Sequence, residues 1–185
     1  MHDVHRAFEA FLVNTCAPML LGRKPATLLS EKSLPEHCAW SRLRMLGFRV
    51  CRLRRGRRSS LMLIYQPRLL SEACMHPIAL ERLAALGYSA QADDRALLSH
   101  LKRRFAESSD FPHEVGFFLG YPPEDVIGFM DCKDACKLCG PWKVYGDEAR
   151  ATALFAEYKR LRAVLLAHIA RGGTLFSGNL SALAG

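Results

Sequence analysis

Residues 48–65 read FRVCRLRRGRRSSLMLIY and hold the clearest secondary-structure pattern of the chain. Segments 48–53 and 60–65 are rich in residues that favour β-strands, and the Arg-Arg-Gly-Arg run at 54–57 lies between them as a turn. This pattern predicts a β-hairpin. Because residues 61–65 are apolar without alternation, we expect the second strand to be covered on both faces.

Helix signals surround this hairpin. Apolar spacing predicts a first helix that ends before Pro18, and Ser33 has the features of an N-cap for a helix that runs through Leu46. Further helices are predicted at about 78–86, from Asp93 or Asp94, after Pro122, and from Asp147 onward, the last being the longest.

Two more segments predict strands. Residues 115–119 form an apolar run, and residues 142–145, Trp-Lys-Val-Tyr, predict a shorter strand. Since hairpins outnumber plausible parallel crossovers, we expect an α+β fold with a small, mostly antiparallel sheet of about four strands covered by helices. We expect one domain over residues 1–171 and a loosely ordered C-terminal tail over residues 172–185.

The composition indicates a globular protein of a reducing compartment. Half of the 185 residues are apolar and 24% are charged, which suits a packed core. The odd number of cysteines, seven, and the charged first residues favour reduced thiols in the cytoplasm over a secreted disulfide scaffold. No uncharged apolar run approaches the roughly 18 residues of a membrane span, so we expect no membrane contact. The formal net charge of +8 indicates an anionic partner.

Three cysteines lie close together near the middle of the second half of the chain. Cys132, Cys136 and Cys139 have a C-x3-C-x2-C spacing, which can bring three thiolates round one soft metal ion or iron–sulfur cluster. A structural zinc would need a fourth ligand, such as Cys16, Cys38 or a histidine. The alternatives are a redox-active pair and a loop whose cysteines are free.

Three longer motifs give the chain a family resemblance. They are CAPMLLGRK at 16–24, HEVGFFLGYPPEDV at 113–126 and WKVYGD at 142–147. In this order, over roughly residues 8–158, the chain resembles the DUF3793 family, small cytosolic proteins of unknown function from anaerobic bacteria. The resemblance implies the family and no established activity.

The second and third motifs also supply candidate pocket residues. His113 and Glu114 precede the predicted strand 115–119, and because side chains alternate along a strand, only one of them can face a shared pocket. Neutral imidazole is a good ligand for iron or zinc, so His113 could coordinate haem iron. The candidate walls and polar groups of this pocket are Tyr121, Phe129, Trp142, Lys143 and Tyr145. The alternative is that these aromatic residues fill an ordinary core.

Two further features suggest partners or chemistry. Cys16 could form a nucleophile–base pair with His113. The predicted hairpin carries Arg49 and a candidate docking set, which consists of Arg52, Arg54, Arg55, Arg57 and Arg58. Arginine forks match carboxylates and phosphates, so we expect this surface to dock an acidic partner protein. Nucleic acid is a less favoured partner, because aromatic residues for stacking are scarce there.

From these features we expect a non-catalytic, cytoplasmic accessory protein of redox or iron metabolism. It would bind iron, haem or an iron–sulfur cluster, with zinc as the alternative, through some of Cys132, Cys136, Cys139 and His113. Its basic surface would dock an acidic partner such as a flavodoxin-like electron carrier. Two alternatives stay open at this point. One is an enzyme that uses Cys16 or His113 in an aromatic pocket, and the other is a protein that binds nucleic acid through its arginine hairpin.

Overall fold

Residues 61–65 form the central strand of a three-stranded antiparallel sheet in the computed structural model, which describes residues 2–33, 40–56, 60–132, 136–176 and 180–184. The strands are β1 (Ala26–Ser30), β2 (Arg49–Arg54) and β3 (Leu61–Tyr65), in the order β1-β3-β2. Tyr65 of β3 pairs with Ala26 on one side and Arg49 on the other. The predicted hairpin is therefore confirmed, and its second strand lies at the centre of the sheet.

Eight helices and a second, two-stranded sheet complete the described part of the chain. The helices are α1 (His2–Leu20), α2 (Trp40–Met45), α3 (Pro67–Cys74), α4 (Pro77–Ala85), α5 (Asp94–Glu107), α6 (Val115–Phe118), α7 (Pro123–Asp131) and α8 (Glu148–Ala170). The second sheet consists of β4 (Leu138–Cys139) and β5 (Lys143–Val144), and short 3-10 helices cover Glu31–Ser33 and Leu180–Ala184. None of the described helices is long and apolar enough to cross a lipid bilayer.

The central strand separates two hydrophobic cores. Leu63 and Tyr65 belong to a core that includes buried residues of α3 to α7. Met62 and Ile64 belong to a second core, built with α1, α2 and α8. Successive side chains of a strand point to opposite faces, so a strand between two cores must be apolar at nearly every position. Residues 61–65 lack alternation because each face of their strand lies against a core. The predicted α+β fold with helical cover is confirmed.

The helix starts that depend on aspartate are also confirmed. Asp93 caps α5, because its Oδ1 accepts a hydrogen bond of 2.8 Å from the backbone N–H of Ala96. Asp147 caps α8 in the same way, with a 3.0 Å bond from the N–H of Arg150. Both caps satisfy amide groups that lack a partner inside the helix.

The prediction of a strand at 115–119 is wrong. Residues 115–118 are the short helix α6, with helical hydrogen bonds such as Leu119 N–H to Val115 O at 3.0 Å. A short apolar run fits a buried strand and a buried helical turn equally well, so the pattern alone could not distinguish them. The turn ends at Gly120, whose φ of +71° is a left-handed conformation that favours glycine.

Other boundaries differ from the predictions. The first helix continues past Pro18 to Leu20, because a proline in the last turn removes only one hydrogen bond. Segment 142–145 forms β5, which pairs with β4 and does not join the main sheet. Residues 34–39, on which the helix start after Ser33 depends, lie outside the described residues, and α2 covers only 40–45. The strand β1 and the helix α3 were not predicted.

The beginning of the predicted tail packs against α1. Leu175 is fully buried, and the Thr174 hydroxyl donates a 2.6 Å hydrogen bond to Glu9 Oε1. Residues 177–179 lie outside the described part of the chain. The division of the chain at residue 171 stays a prediction.

Replacing Leu63, a fully buried residue of the central strand, should destabilise the core that β3 shares with helices α3 to α7. We expect Leu63→Ala to lower the free energy of unfolding by about 2–5 kcal/mol, the usual cost of truncating a buried leucine. Urea denaturation measures this change in the free energy of unfolding. The matched control is Met45→Ala, since Met45 is 77% exposed and should change stability by less than about 0.5 kcal/mol. Equal effects of the two variants would contradict the burial of Leu63 in this core.

Candidate functional site

The buried carboxylate of Asp125 holds two distant segments together. Asp125 lies in the first turn of α7 and is only 2% exposed. Its Oδ2 accepts a 2.7 Å hydrogen bond from the indole N–H of Trp142. Its Oδ1 accepts bonds of 2.7 and 2.8 Å from the backbone N–H groups of Tyr145 and Gly146. One side chain thus fixes residues 142–146 against α7 and joins the motifs at 113–126 and 142–147.

An apolar cavity of about 230 Å³ lies beside this contact, between α6, α7 and residues 141–143. We name it the aromatic cavity, and the lining residues that matter most are Phe111, His113, Tyr121, Phe129, Trp142 and Lys143. The rings of Tyr121 and Trp142 are stacked, with centroids 4.9 Å apart and planes inclined by 26°. The structure therefore brings five of the predicted pocket residues to one cavity, namely His113, Tyr121, Phe129, Trp142 and Lys143.

Two polar side chains border this apolar space in addition to Asp125. The His113 ring lies edge to face with Phe129, at a centroid distance of 4.7 Å. Lys143 is exposed, and its Nζ lies 5.6 Å from the centre of the Phe129 ring. Asp125 also borders the cavity, but its two oxygens already accept three hydrogen bonds. Lys143 is therefore the charged group placed to meet a ligand.

Glu114 points away from the aromatic cavity. Its carboxylate is buried and accepts a 2.9 Å hydrogen bond from Arg104 Nε, and the Tyr88 hydroxyl lies 3.4 Å from the same oxygen. Burial, together with the nearby Glu114 charge, raises the pKa of Tyr88. Only one of His113 and Glu114 lines the pocket, but the separation arises in a helical turn and not by strand alternation. Glu114 therefore ties α5 to the start of α6.

Tyr145 is not part of the lining of the aromatic cavity, but it lies next to the lining residue Phe129. Its ring lies 6.4 Å from that of Phe129, and it packs on Gly128, where any Cβ would overlap Tyr145. The glycine lets α7 approach the segment after β5 closely enough for the Asp125 hydrogen bonds to form.

A second cavity, of about 540 Å³, lies between α1 and α8. We name it the basic cavity, and its lining includes Thr15, Lys24, Thr27, Pro141, Lys159 and Arg162. Lys24 is partly buried, and its Nζ lies 5.1 Å from the centre of the Tyr121 ring. Burial lowers the pKa of Lys24 to about 8. Tyr121 and Pro141 connect the two cavities, because Tyr121 contacts Lys24 and Pro141 lines both spaces.

Cys16 does not meet His113. It is a residue of α1 and is fully buried in the core that α1 forms with α2 and α8, whereas His113 lines the aromatic cavity. Burial raises the pKa of the Cys16 thiol, with the hydroxyls of Thr15 and Thr27 and the charge of Lys24 opposing the change. The structure therefore does not assemble the nucleophile–base pair considered from the sequence.

The clustered cysteines converge only in part. The sulfur atoms of Cys136 and Cys139 are 3.4 Å apart, and Cys132 is exposed at the end of α7. Residues 133–135 and Cys38 lie outside the described part of the chain. Among the residues that the structure describes, no group of three or more His, Cys, Asp or Glu side chains is placed to hold a metal ion. Binding of iron, haem, a cluster or zinc stays a prediction.

The arginines of the hairpin fall into two groups. Arg49 and Arg52 form ion pairs of 2.9 Å with Asp94 and 3.4 Å with Glu31. Arg54 and Arg55 are exposed, and residues 57–59, which include the other two arginines of the docking set, lie outside the described residues. Part of the positive charge expected to attract a partner is thus compensated within the chain, and docking of an acidic protein stays a prediction.

Asp125 and Lys24 are the site residues that the sequence did not identify. Asp125 ends the segment Pro-Pro-Glu-Asp at 122–125, which indicates only the acidic start of a helix. The structure places Asp125 in the first turn of α7, as this pattern indicates. Lysine is usually exposed, and Lys24 follows Gly22 and Arg23, so nothing local indicates its partial burial. Their partners come from segments far along the chain, so the sequence could not show their roles.

The comparisons with known proteins give one match. The DUF3793 family model, described as a protein of unknown function, matches residues 12–177 and covers both cavities. This confirms the resemblance stated from the motifs. No curated protein and no solved structure matches the chain.

Removing one acceptor from Asp125 should loosen the segment 142–146. We expect Asp125→Asn to cost about 1–3 kcal/mol of stability, because the amide cannot accept on both sides and leaves a buried donor unpaired. In a Trp40→Phe background, emission of Trp142 should shift to longer wavelength, since its environment becomes more polar. Urea denaturation and fluorescence measure both effects. Asp110→Asn is the control, as Asp110 is exposed. An equal effect of both variants would contradict the role of Asp125 in holding residues 142–146.

Lys24 should titrate well below 10.5, the ordinary pKa of lysine. No carboxylate forms an ion pair with it in the described part of the chain, so burial disfavours its charge. In NMR spectra of protein with ¹³C-labelled lysine, we expect one Cε signal with a midpoint near pH 8, absent in Lys24→Arg. Between pH 8 and 10.5 the folded chain binds fewer protons there than the unfolded chain, so stability should rise with pH. Lys159→Arg is the exposed control, and a Lys24 midpoint at 10.5 would contradict the expectation.

Proposed function

The chain belongs to the DUF3793 family of proteins of unknown function, and from its own site we propose that it is a non-catalytic protein that binds a small, flat, anionic organic molecule in the aromatic cavity. The observation that carries the proposal is the combination of a stacked Tyr121–Trp142 wall with Lys143 at the same cavity. Ligand sites are typically concave and apolar, with a few polar groups that fix orientation.

The size and the walls of the aromatic cavity support a small planar ligand. At about 230 Å³ the cavity is smaller than the roughly 300 to 1,000 Å³ of sites for drug-sized molecules, so it suits one or two fused rings. Its aromatic residues, with Tyr121 and Trp142 on one side and Phe129 on another, offer ring faces and edges for stacking. A flat ring system would use these contacts better than an aliphatic chain.

The charges at the cavity support an acidic ligand. Lys143 supplies a cation, and the only carboxylate in the described lining, Asp125, already accepts three hydrogen bonds. The His113 imidazole can donate or accept one hydrogen bond, depending on its tautomer. A carboxylate on the ring would therefore pair with Lys143, and a neutral group could contact His113.

A binding role is favoured over catalysis by the position of the candidate nucleophile. Cys16 is fully buried in another core, and burial raises the pKa of its thiol, which disfavours the reactive thiolate. The accessory role in redox or iron metabolism, with bound metal or haem and an acidic partner, remains a further proposal. The contact between Cys136 and Cys139 is what supports its metal part.

Two matched probes test the proposal, indole-3-carboxylate and its neutral counterpart indole-3-carboxamide. We expect the carboxylate to bind more tightly, because only it can pair with Lys143. In Lys143→Met the preference should fall about threefold to fivefold, the size expected of an exposed ion pair. Isothermal titration calorimetry measures the four affinities. Lys159→Met is the control, since Lys159 is an exposed cation of the basic cavity.

The same titrations can refute the proposal in two ways. If neither probe binds at millimolar concentration, the aromatic cavity does not take this class of ligand. If both probes bind equally and Lys143→Met changes nothing, the ligand is not selected for its charge. Addition of haemin with formation of a strong Soret band would favour the haem proposal in its place.

A further inference from the structure

One hairpin carries both a pair of thiols and part of the aromatic cavity. In the β4–β5 hairpin Cys139 pairs with Lys143, and Leu138 pairs with Val144. The turn between them is closed by a 3.0 Å hydrogen bond from Gly140 N–H to Trp142 O. Cys139 is therefore directly opposite a lining residue of the cavity and three residues from another.

The two thiols of this hairpin are close and accessible. The Sγ atoms of Cys136 and Cys139 are 3.4 Å apart, Cys139 is exposed and Cys136 is partly exposed. By contrast, Cys16, Cys51 and Cys74 are buried. Thiol reagents and small disulfides should therefore reach the hairpin pair long before they reach these buried thiols.

We propose that Cys136 and Cys139 form a redox-active dithiol that is oxidised by small disulfides, and that its oxidation weakens ligand binding in the aromatic cavity. The first part stands on the geometry of the hairpin alone. The second part rests on the proposed function, because it concerns the ligand of that cavity.

The chemistry is thiol–disulfide exchange with a low-molecular-weight disulfide as the oxidant. The Cys136 thiolate attacks one sulfur of the disulfide, forms a mixed disulfide and releases the first thiolate. Cys139 then loses its proton to solvent and attacks Cys136 Sγ, which releases the second thiolate. The pair loses two electrons and two protons, and the oxidant becomes two thiols.

Closing the disulfide draws Cys139 towards Cys136. A disulfide bond is about 2.05 Å long, so the two sulfurs have to approach by about 1.3 Å. Gly140 packs against Phe155 so closely that a Cβ there would overlap the ring, which leaves the turn little room on that side. Movement of Cys139 is therefore passed across the ladder to Lys143 and to its neighbour Trp142, both of which line the cavity.

The experiment uses the full chain, reduced and then exposed to oxidised glutathione. Intact mass and peptide mapping should show one intramolecular disulfide, between Cys136 and Cys139. In the variants Cys136→Ser and Cys139→Ser, the reaction should stop at a mixed disulfide between glutathione and the remaining cysteine of the pair. Cys132→Ser is the matched control, because Cys132 is also exposed. This variant should form the same disulfide as the unmodified chain. Calorimetry with indole-3-carboxylate should show binding at least about fivefold weaker in the oxidised protein.

Each result decides one part of the proposal. No intramolecular disulfide, or one that includes Cys132, overturns the dithiol. Protein that carries stoichiometric zinc or iron, and becomes oxidisable only after chelation, shows the thiols to be metal ligands and overturns it as well. If the disulfide forms but the affinity for indole-3-carboxylate does not change, only the proposed effect of oxidation on ligand binding is overturned. If the reduced protein fails to bind the probe, the proposed function fails, while the mass analysis still decides the dithiol.

Discussion

The arrangement of both cavities depends on the buried Asp125 carboxylate. A buried charge is costly unless hydrogen bonds compensate for its lost hydration, and this one accepts three. The bonds go to Trp142, Tyr145 and Gly146, so they fix a whole segment and not one contact. That segment carries the indole that stacks on Tyr121 and leads directly into Asp147, the cap of the longest helix. Aspartate is suited to this position because its two oxygens can accept from both sides.

The sheet determines where that segment can lie. With a core on each face of β3, helices α6 and α7 are confined to one side of the sheet and α1 and α8 to the other. The segment after β5 connects the two sides, and the small cluster around Trp142 and Val144 fills the space between them. The aromatic cavity and the basic cavity are the remaining spaces on either side of this connection. Their adjacency therefore follows from the way the chain passes from α7 to α8.

How far the sequence could predict this depends on whether a feature is local. The apolar run 61–65 and the aspartate caps of α5 and α8 are local signals, and they were predicted correctly. The run at 115–119 is too short to show a period, so it fits a strand as well as the helical turn that it forms. Pro67 fits the end of a strand as well as the start of a helix, so the pattern does not show α3. Four residues of the aromatic cavity lie in the motifs at 113–126 and 142–147, which is why the sequence indicates them, namely His113, Tyr121, Trp142 and Lys143. Asp125 and Lys24 act through contacts with distant segments, so no local pattern could show their roles.

The distribution of charge also gains a different meaning in three dimensions. By sequence the positive charge is densest on the β2–β3 hairpin, but there Arg49 and Arg52 are paired with acids of the same chain. At the cavities, by contrast, Lys24 lies over Tyr121 and Lys143 over Phe129, and the one carboxylate in the aromatic lining is saturated by donors. Two cations against aromatic faces, one partly buried and one exposed, create a positive potential beside the two cavities. The excess charge of the chain therefore favours an anionic ligand inside the fold at least as much as an acidic partner on its surface.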